Sequence, residues 1–319
     1  MDLVRSVRAV TEASGAGMID WQKTAESAKA ATDPGDLQLT ASERDGYASD
    51  VRDARTRLRE VADIDFDVPA TVEVQNRHHW IDANLRTFRQ VMGAVEQNFQ
   101  SDASNVSRIA NTGSMAFSLG FLARNVLGQY DPLLMADSTE NDHGLYFVHS
   151  NIKRTAEELD VPFPRFRRWI AFHEVSHAAE FGAAPWLSGY LESRMDEGVA
   201  ALGDGALDRD SFQELNGAMT AVEGYAELLM DRAFDQEYAD LRRKLDERRG
   251  GGSPISKLIR RVLGLGMKRQ QYEQGSSFFE VVADRRGIQS AGAVWADPTN
   301  LPTGDELNDP DAWIQRVNP

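Results

Sequence analysis

The sequence predicts a mainly α (α+β) fold, with several helices and a small β element that precedes one central helix. Apolar residues recur at helical spacing over most of the 319-residue chain. Short apolar runs bounded by Pro, Asp, Gly and Asn appear near the middle, where they indicate strands. The hydrophobic content of 41%, with six Trp and fourteen Phe, is sufficient for a large buried core.

Four helices are predicted in the N-terminal part of the chain. The first follows Asp20, a good N-cap residue, and ends near the Pro-Gly of ATDPGD. The third places Trp80, Leu85 and Phe88 on one broad apolar face. The fourth is more apolar and is expected to be buried. These helices are expected at residues 21–31, 39–64, 78–99 and 107–128.

The β element and the central helix are predicted next. The runs QYDPLLMADS (residues 129–138) and GLYFVHSNI (residues 144–152) are expected to form two short strands. The central helix is expected over about residues 165–181. Pro164 is well suited to a helix start, and Gly182 is typical of a helix end.

The rest of the chain contains further helix, within residues 210–247, and a flexible break at GGGSP, residues 250–254. An apolar helix, the run FFEVV and a tail rich in Pro and Asp follow. We expect one domain over residues 1–319. Within it, we expect a helical N-terminal subregion at residues 1–105 and a C-terminal subregion at residues 254–319.

The composition narrows the classes of function. Cysteine is absent, which excludes disulfides and thiolate catalysis, so a metal site must use His, Asp and Glu. The net charge of −15 disfavours general nucleic-acid binding, and only six of the 35 basic residues are lysine. An acidic composition with few lysines is typical of proteins from a high-salt cytoplasm or from an organism with a GC-rich genome. The N-terminal residues lack the apolar core of a signal peptide, and no run is long enough to span a membrane, so we expect a cytoplasmic location.

The predicted central helix carries HEVSH, an instance of H-E-x-x-H. His173 and His177 are four residues apart, so their imidazoles lie on one helix face and can reach a single zinc ion. Glu174 lies beside the first histidine, where it can act as general base toward a metal-bound water. The neighbouring Trp, Ile and Phe residues indicate a buried helix, in which unpartnered polar groups would be costly. The alternative is a helix with two unrelated histidines.

A catalytic zinc needs a third protein ligand. Glu223 and Glu227 lie one turn apart on a second predicted helix, among Ala, Val, Leu and Met. The metal hypothesis makes Glu223 the third ligand and Glu227 an acceptor that orients a ligand histidine through its other ring nitrogen. Glu180 is a second candidate for the third ligand, although an acid at a helix end is more typical of the surface. In the alternative interpretation, the pair belongs to a solvated acidic stripe that continues to Asp231.

HEVSH followed by a helix with Glu-x-x-x-acid resembles a gluzincin, a zinc peptidase with two His and one Glu ligand. Four stretches together resemble a zincin-like metallopeptidase family of actinobacteria and haloarchaea: WIAFHEVSHAAEF, MTAVEGYAELLMDRA, KRQQYEQGSSFFEVVADRRG and VWADPTNLPTGDELNDPDAWIQRV. Its members have been labelled hydrolases or coenzyme F420 biosynthesis-associated proteins. The resemblance extends to DWQKTAESAKA, NRHHWIDANLRTF and LGQYDPLL, and therefore covers nearly the whole chain. It implies a zincin-like domain, a Zn²⁺ cofactor, and a haloarchaeal origin that would explain the lysine-poor composition.

The sequence departs from better-known gluzincins in several ways. The spacing from His177 to Glu223 is 46 residues, longer than in the simplest members, and Glu227 stands where an Asp is usual. Gluzincins also use a His or Tyr to stabilise the tetrahedral oxyanion. The candidates for this role are Tyr225, Tyr190 and His149, the last on a predicted strand.

Residues 242–269 hold ten Lys or Arg against Asp246 and Glu247. This basic segment could contact an anionic partner, or it could pair with acidic groups elsewhere in the fold. P-loop, G-x-G-x-x-G and G-x-S-x-G motifs are absent. Two functions stay open. One is a zinc hydrolase, expected to be a peptidase, whose peptide or small-molecule substrate is unknown. The other is a non-catalytic protein on a zincin scaffold that binds a ligand or partner linked to coenzyme F420.

Overall fold

The mainly α prediction is confirmed by the computed structural model, which describes residues 1–98, 104–131, 144–203, 209–234, 238–248 and 269–319. The elements before the central helix are α1 (Leu3–Thr11), α2 (Trp21–Ala30), α3 (Ala41–Ala62), β1 (Thr71–Gln75), α4 (Arg77–Asn98), α5 (Asn105–Ala123), β2 (Gly128–Asp131), β3 (Gly144–Val148) and α6 (His149–Glu158). The remaining elements are α7 (Phe163–Ala183), α8 (Leu187–Gly203), α9 (Arg209–Ala233), α10 (Tyr238–Arg248), α11 (Arg269–Arg286), α12 (Ile288–Ala291) and α13 (Pro310–Val317), with 3-10 helices at Gly292–Trp295 and Pro298–Asn300. Within the described ranges, no helix combines the length and apolarity that crossing a membrane requires.

The helices expected at residues 21–31, 39–64 and 78–99 correspond to α2, α3 and α4, and the central helix is α7. Other boundaries differ. The helix expected to reach residue 128 ends at Ala123, because the chain turns there and enters β2. The run FFEVV lies inside α11, while the apolar helix expected after GGGSP falls outside the described residues.

The placement of His149 on a strand is wrong, because β3 ends at Val148 and His149 is the first residue of α6. The first predicted strand is β2, and its expected continuation past Asp131 lies outside the described residues. The strand β1 is absent from the prediction. Its partner β3 lies about seventy residues further along the chain, so a local pattern gives little indication of the pairing.

The sheet has the strand order β1-β3-β2. β1 runs parallel to β3, with Thr71 opposite Gly144, and β2 runs antiparallel to β3, with Gly128 opposite Phe147. β2 is therefore an edge strand of this sheet, and its outer edge packs against α7. This contact places backbone groups of a strand beside the HEVSH motif.

α7 lies inside the main hydrophobic core and packs against α3, α6, α9 and β2. Its sequence is apolar on more than one side, as expected for a helix that other elements cover all round. Phe166, Ile170 and Phe172 are at most 2% exposed. The polar groups of HEVSH are thus held on a helix that has little freedom to move.

α9 and α11 cross at two glycines. A Cβ atom on Gly224 would lie 2.5 Å from the carbonyl carbon of Gly275, and a Cβ on Gly275 would lie 2.5 Å from the carbonyl oxygen of Thr220. Only glycine allows the two backbones to approach this closely. The crossing fixes the part of α9 that carries Glu223.

A second, smaller hydrophobic cluster is formed mainly by α2, α4 and α5, and is called the N-terminal cluster below. Its buried residues are Ile19, Ala28, Trp80, Ile81, Phe88, Met115, Ala116, Leu119, Leu122, Ala123, Val126 and Val148. The buried Asn151 side chain donates to the carbonyl oxygens of Ala123 and Val126, at 2.8 and 2.7 Å. Asn151 thus pairs with two backbone carbonyl groups, one at the end of α5 and one in the segment that connects α5 to β2.

Candidate metal centre

The motif helix and α9 bring three predicted ligands together. One ligand atom from each of His173, His177 and Glu223 lies within 4.8 Å of the other two. The two histidines project from successive turns of α7, and Glu223 reaches them from α9, which packs against α7. All three residues are partly exposed rather than sealed in the core, so a small ligand can reach them.

The donor set fits zinc. Two imidazole nitrogens and one carboxylate oxygen form a ligand set of catalytic zinc sites, in which a fourth position stays open. Ligand atoms at the usual bond lengths around a tetrahedral zinc lie roughly 3.3 Å apart. The 4.8 Å limit seen here is therefore about 1.5 Å or less from that spacing. Small side-chain rotations can close this gap.

The ring of His173 lies between two aromatic neighbours. It stacks on Trp169, with ring centroids 5.6 Å apart and planes 4° apart, and it meets the ring of His177 edge-on at 4.7 Å. Stacking on a side chain that is 3% exposed restricts the rotation of this imidazole.

Glu174 lies beside the three candidate ligands and is 4% exposed. Its Oε2 accepts a hydrogen bond of 2.8 Å from the backbone N–H of Tyr130 in β2. Burial raises the pKa of Glu174 to about 7, although the charge of His177 and the bond from Tyr130 act in the opposite direction. A carboxylate with this pKa can both accept and release a proton near neutral pH.

Gly128 makes room for the Glu174 side chain. A Cβ atom on Gly128 would lie 2.7 Å from both Cγ and Oε1 of Glu174. Separations below 3 Å do not occur between such atoms without displacement, so a larger residue in β2 would push the carboxylate away. Gly128 and the N–H of Tyr130 could not be predicted from the sequence as parts of the site, because both act through a contact between a strand and a helix.

His177 has a buried partner on its own helix. Its Nδ1 lies 2.9 Å from Oε2 of Glu180, three residues further along α7. Burial alone would lower the pKa of His177, but the hydrogen bond with Glu180 and the surrounding carboxylates raise it to about 9. Because Nδ1 contacts Glu180, Nε2 is the ring nitrogen left for a metal.

Of the other two glutamates, Glu180 differs from its sequence expectation, and the orienting role of Glu227 stays a prediction. Glu180, expected at the surface, is completely buried, because α7 is covered by neighbouring elements where it would otherwise end in solvent. Glu227, expected to orient a histidine, forms an ion pair of 2.9 Å with Nε of Arg242. The acceptor beside His177 is Glu180.

The three oxyanion candidates occupy different places. Tyr225 is fully buried between Phe279 and Trp295, with ring centroids 5.4 and 5.5 Å away. His149 is 1% exposed, and its Nδ1 lies 3.1 Å from the hydroxyl of Tyr47. Tyr190 is partly exposed at the start of α8, where it contacts the ring of Trp186 at 5.9 Å. Neither Tyr225 nor His149 is therefore open to a substrate.

The basic segment at residues 242–269 lies largely outside the described residues. In its described part, the basic groups contact the fold itself. Arg242 pairs with Glu227, and Nη2 of Arg243 lies 2.8 Å from Asp240. Nζ of Lys244 donates a hydrogen bond of 3.3 Å to the carbonyl oxygen of Asp160, in the loop between α6 and α7. These three side chains match the expectation that basic groups pair within the fold.

The arrangement of H-E-x-x-H on a buried helix, with a glutamate from a second helix, is typical of a zincin. The model of a zincin-like metallopeptidase family matches residues 19–206 and 192–314, so the chain belongs to this family. The chain is also similar to a crystal structure described as a "putative hydrolase with a novel fold" from Chloroflexus aurantiacus. The two share 27% sequence identity with a TM-score of 0.77, over 100% of this chain and 99% of that one. A search of curated protein sequences found no match.

Proposed function

We propose that this protein is a zinc-dependent hydrolase that acts as a peptidase. His173, His177 and Glu223 would hold the zinc, and Glu174 would serve as general base. The observation that carries the proposal is the convergence of three ligand atoms from α7 and α9 within 4.8 Å, beside a buried carboxylate. Membership of a zincin-like metallopeptidase family supports it.

A zinc ion in this site would polarise a substrate carbonyl and lower the pKa of a coordinated water toward ~7. The protein's own contribution is to place the proton acceptor. Glu174 would take a proton from the attacking water on its carboxylate and pass it to the leaving amine nitrogen. The N–H of Tyr130, 2.8 Å from Oε2, holds that carboxylate in one orientation during both transfers.

The first test is the metal content, measured by elemental mass spectrometry on protein purified without a metal-binding tag. We expect about one zinc per chain in the wild type. The variants Glu223→Ala and His177→Ala should both lose it, because each removes one of three ligands. Zinc retained by Glu223→Ala would move the third ligand elsewhere. No metal in the wild type, even after reconstitution, would refute the proposal.

The second test separates metal binding from chemistry. Glu174→Gln keeps the size of the side chain but cannot accept the proton, so we expect unchanged zinc content and loss of hydrolysis of a peptide library. A fully active Glu174→Gln protein would refute the assigned mechanism. A zinc-loaded wild type that cleaves no member of the library would instead favour a non-catalytic protein on this scaffold.

A further inference from the structure

The contact between His177 and Glu180 has a geometry suited to controlling the imidazole. The two residues are three apart on α7, so their side chains lie on neighbouring turns of one helix face. Oε2 of Glu180 is 2.9 Å from Nδ1 of His177, on the side of the ring opposite Nε2. A bond at this position fixes both which nitrogen carries the proton and how the ring is turned.

Glu180 is in a costly position. Its side chain is completely buried, and besides His177 the backbone of Ala226 on α9 lies within hydrogen-bonding reach of its carboxylate. A buried carboxylate is destabilising unless a charged or hydrogen-bonding group compensates it. His177 is the side chain that Glu180 contacts, so the two groups depend on each other.

Glu227 provides an internal comparison. It is 4% exposed, as buried as Glu174, and lies on the neighbouring helix α9, one turn beyond Glu223. Its carboxylate faces Nε of Arg242 at 2.9 Å, so a guanidinium compensates the charge. Glu180 instead meets the imidazole of His177, a candidate ligand.

We propose that Glu180 is the positioning residue of His177 and strengthens this histidine as a metal ligand. The proposal rests on the zinc site described above. By accepting a hydrogen bond from Nδ1–H, Glu180 would leave Nε2 as the nitrogen that faces the metal, hold the ring in that orientation, and increase the electron density at Nε2. Glu180 would act through His177 and would not touch the substrate.

The test compares four variants as full-length proteins: Glu180→Ala, Glu180→Gln, and the controls Glu306→Ala and Glu306→Gln at a buried glutamate that pairs with Arg316 in α13. Zinc affinity is measured by competition with a chromophoric chelator, and the environment of the bound metal is followed by the visible spectrum of the Co²⁺-substituted protein. A thermal unfolding curve for each variant reports whether it folds. Glu180→Gln nearly preserves shape, so it keeps the test informative if Glu180→Ala is poorly folded.

We expect Glu180→Ala to weaken zinc binding by about 10–100-fold and to change the Co²⁺ spectrum. Glu180→Gln should lose less, because its amide oxygen can still accept the Nδ1 proton. Both Glu306 variants should bind zinc and Co²⁺ as the wild type does. Wild-type affinity and spectrum in both Glu180 variants would overturn the inference and leave the zinc site intact. Equal losses in the Glu180 and Glu306 variants would overturn it too, since the effect would then be general. A wild type that binds no metal would overturn the proposed function and this inference together.

Discussion

The candidate metal centre on α7 and α9 differs from the N-terminal cluster in how its buried polar groups are paired. Beside the N-terminal cluster, the side-chain amide of Asn151 donates hydrogen bonds to two backbone carbonyl oxygens. Its Oδ1 accepts a hydrogen bond of 2.8 Å from Arg77. At the candidate metal centre, Glu174 and Glu180 are both buried, and this burial, together with the negative charge of Glu223, raises the pKa of each. Like charges held together in a core reduce stability. The comparison indicates that the buried polar groups of the first region serve the fold, whereas those of the second region gather negative charge of the kind that a cation would compensate.

The largest expected effect is a loss of stability that arises in the N-terminal cluster and leaves the candidate metal centre unchanged. Leu119 is fully buried there, so Leu119→Ala should lower the free energy of unfolding by about 2–5 kcal/mol through the lost apolar contacts and the cavity left behind. Zinc affinity should not change. Denaturant unfolding and chelator competition check the two parts. A fall in zinc affinity comparable to that of a ligand variant would break the comparison.

Gly224→Ala should affect both properties. Its Cβ would lie 2.5 Å from the backbone of Gly275, so α9 and α11 must separate, at a cost of about 1–3 kcal/mol. The movement displaces the adjacent Glu223, and zinc affinity should fall. Gly189→Ala is the matched control on α8, because a Cβ there meets nothing within 4 Å. That control should keep zinc and be stabilised by roughly 0.5–1 kcal/mol. Wild-type zinc affinity in Gly224→Ala would show that the crossing does not position Glu223.

Gly128→Ala should separate chemistry from metal binding. Its Cβ would lie 2.7 Å from Oε1 of Glu174 and push the carboxylate out of place. The same Cβ would lie 2.8 Å from Cγ2 of the buried Ile170, so we expect stability to fall by about 1–3 kcal/mol. Zinc content should stay at the wild-type level, and hydrolysis should fall on the order of 10–100-fold. Gly93→Ala on α4 is the control, since nothing lies within 4 Å of a Cβ at that position. Undiminished hydrolysis by Gly128→Ala would show that the position of Glu174 does not depend on β2.

The smallest effect is expected at Glu43, which caps α3 together with Thr40. The hydrogen bond from the backbone N–H of Thr40, opposed by burial, helps lower the pKa of Glu43 from 4.5 to about 2. A lowered carboxyl pKa stabilises the fold above the unfolded-state value of about 4.5, and this contribution is lost as the pH falls toward 2. In metal-free protein, Glu43→Gln should therefore cost about 1 kcal/mol at neutral pH and progressively less as the medium becomes more acidic. A difference independent of pH would contradict this.

Much of the helical architecture could be predicted from the sequence, because helix patterns are local. α2, α3 and α7 follow from cap residues, apolar spacing and the prolines before the motif helix. The pairing of β1 with β3 could not be predicted in this way, since it depends on contacts between distant segments. The start of α6 at His149 could not be predicted either, because the apolar run of β3 continues directly up to it.

The candidate site, like the fold, could be predicted from the sequence only where local spacing determines it. The spacing of His173 and His177 on one helix predicts that their rings are neighbours, and an acidic residue on a second helix suggests a third ligand. The ion pair of Glu227 with Arg242 could not be predicted from the sequence, because it depends on how α10 packs against α9. The spacing from His177 to Glu180 was visible, but the burial of Glu180 requires the tertiary structure.

The crossing of Gly224 and Gly275 has a consequence for the order of events during synthesis. The three candidate ligands are all synthesised by the end of α9, whereas the backbone that packs against Gly224 belongs to α11, some fifty residues later. A nascent chain that ends between α9 and α11 therefore has the full set of candidate ligands but lacks the contact that positions Glu223. We expect stable binding of the proposed zinc to begin only once α11 has folded onto α9.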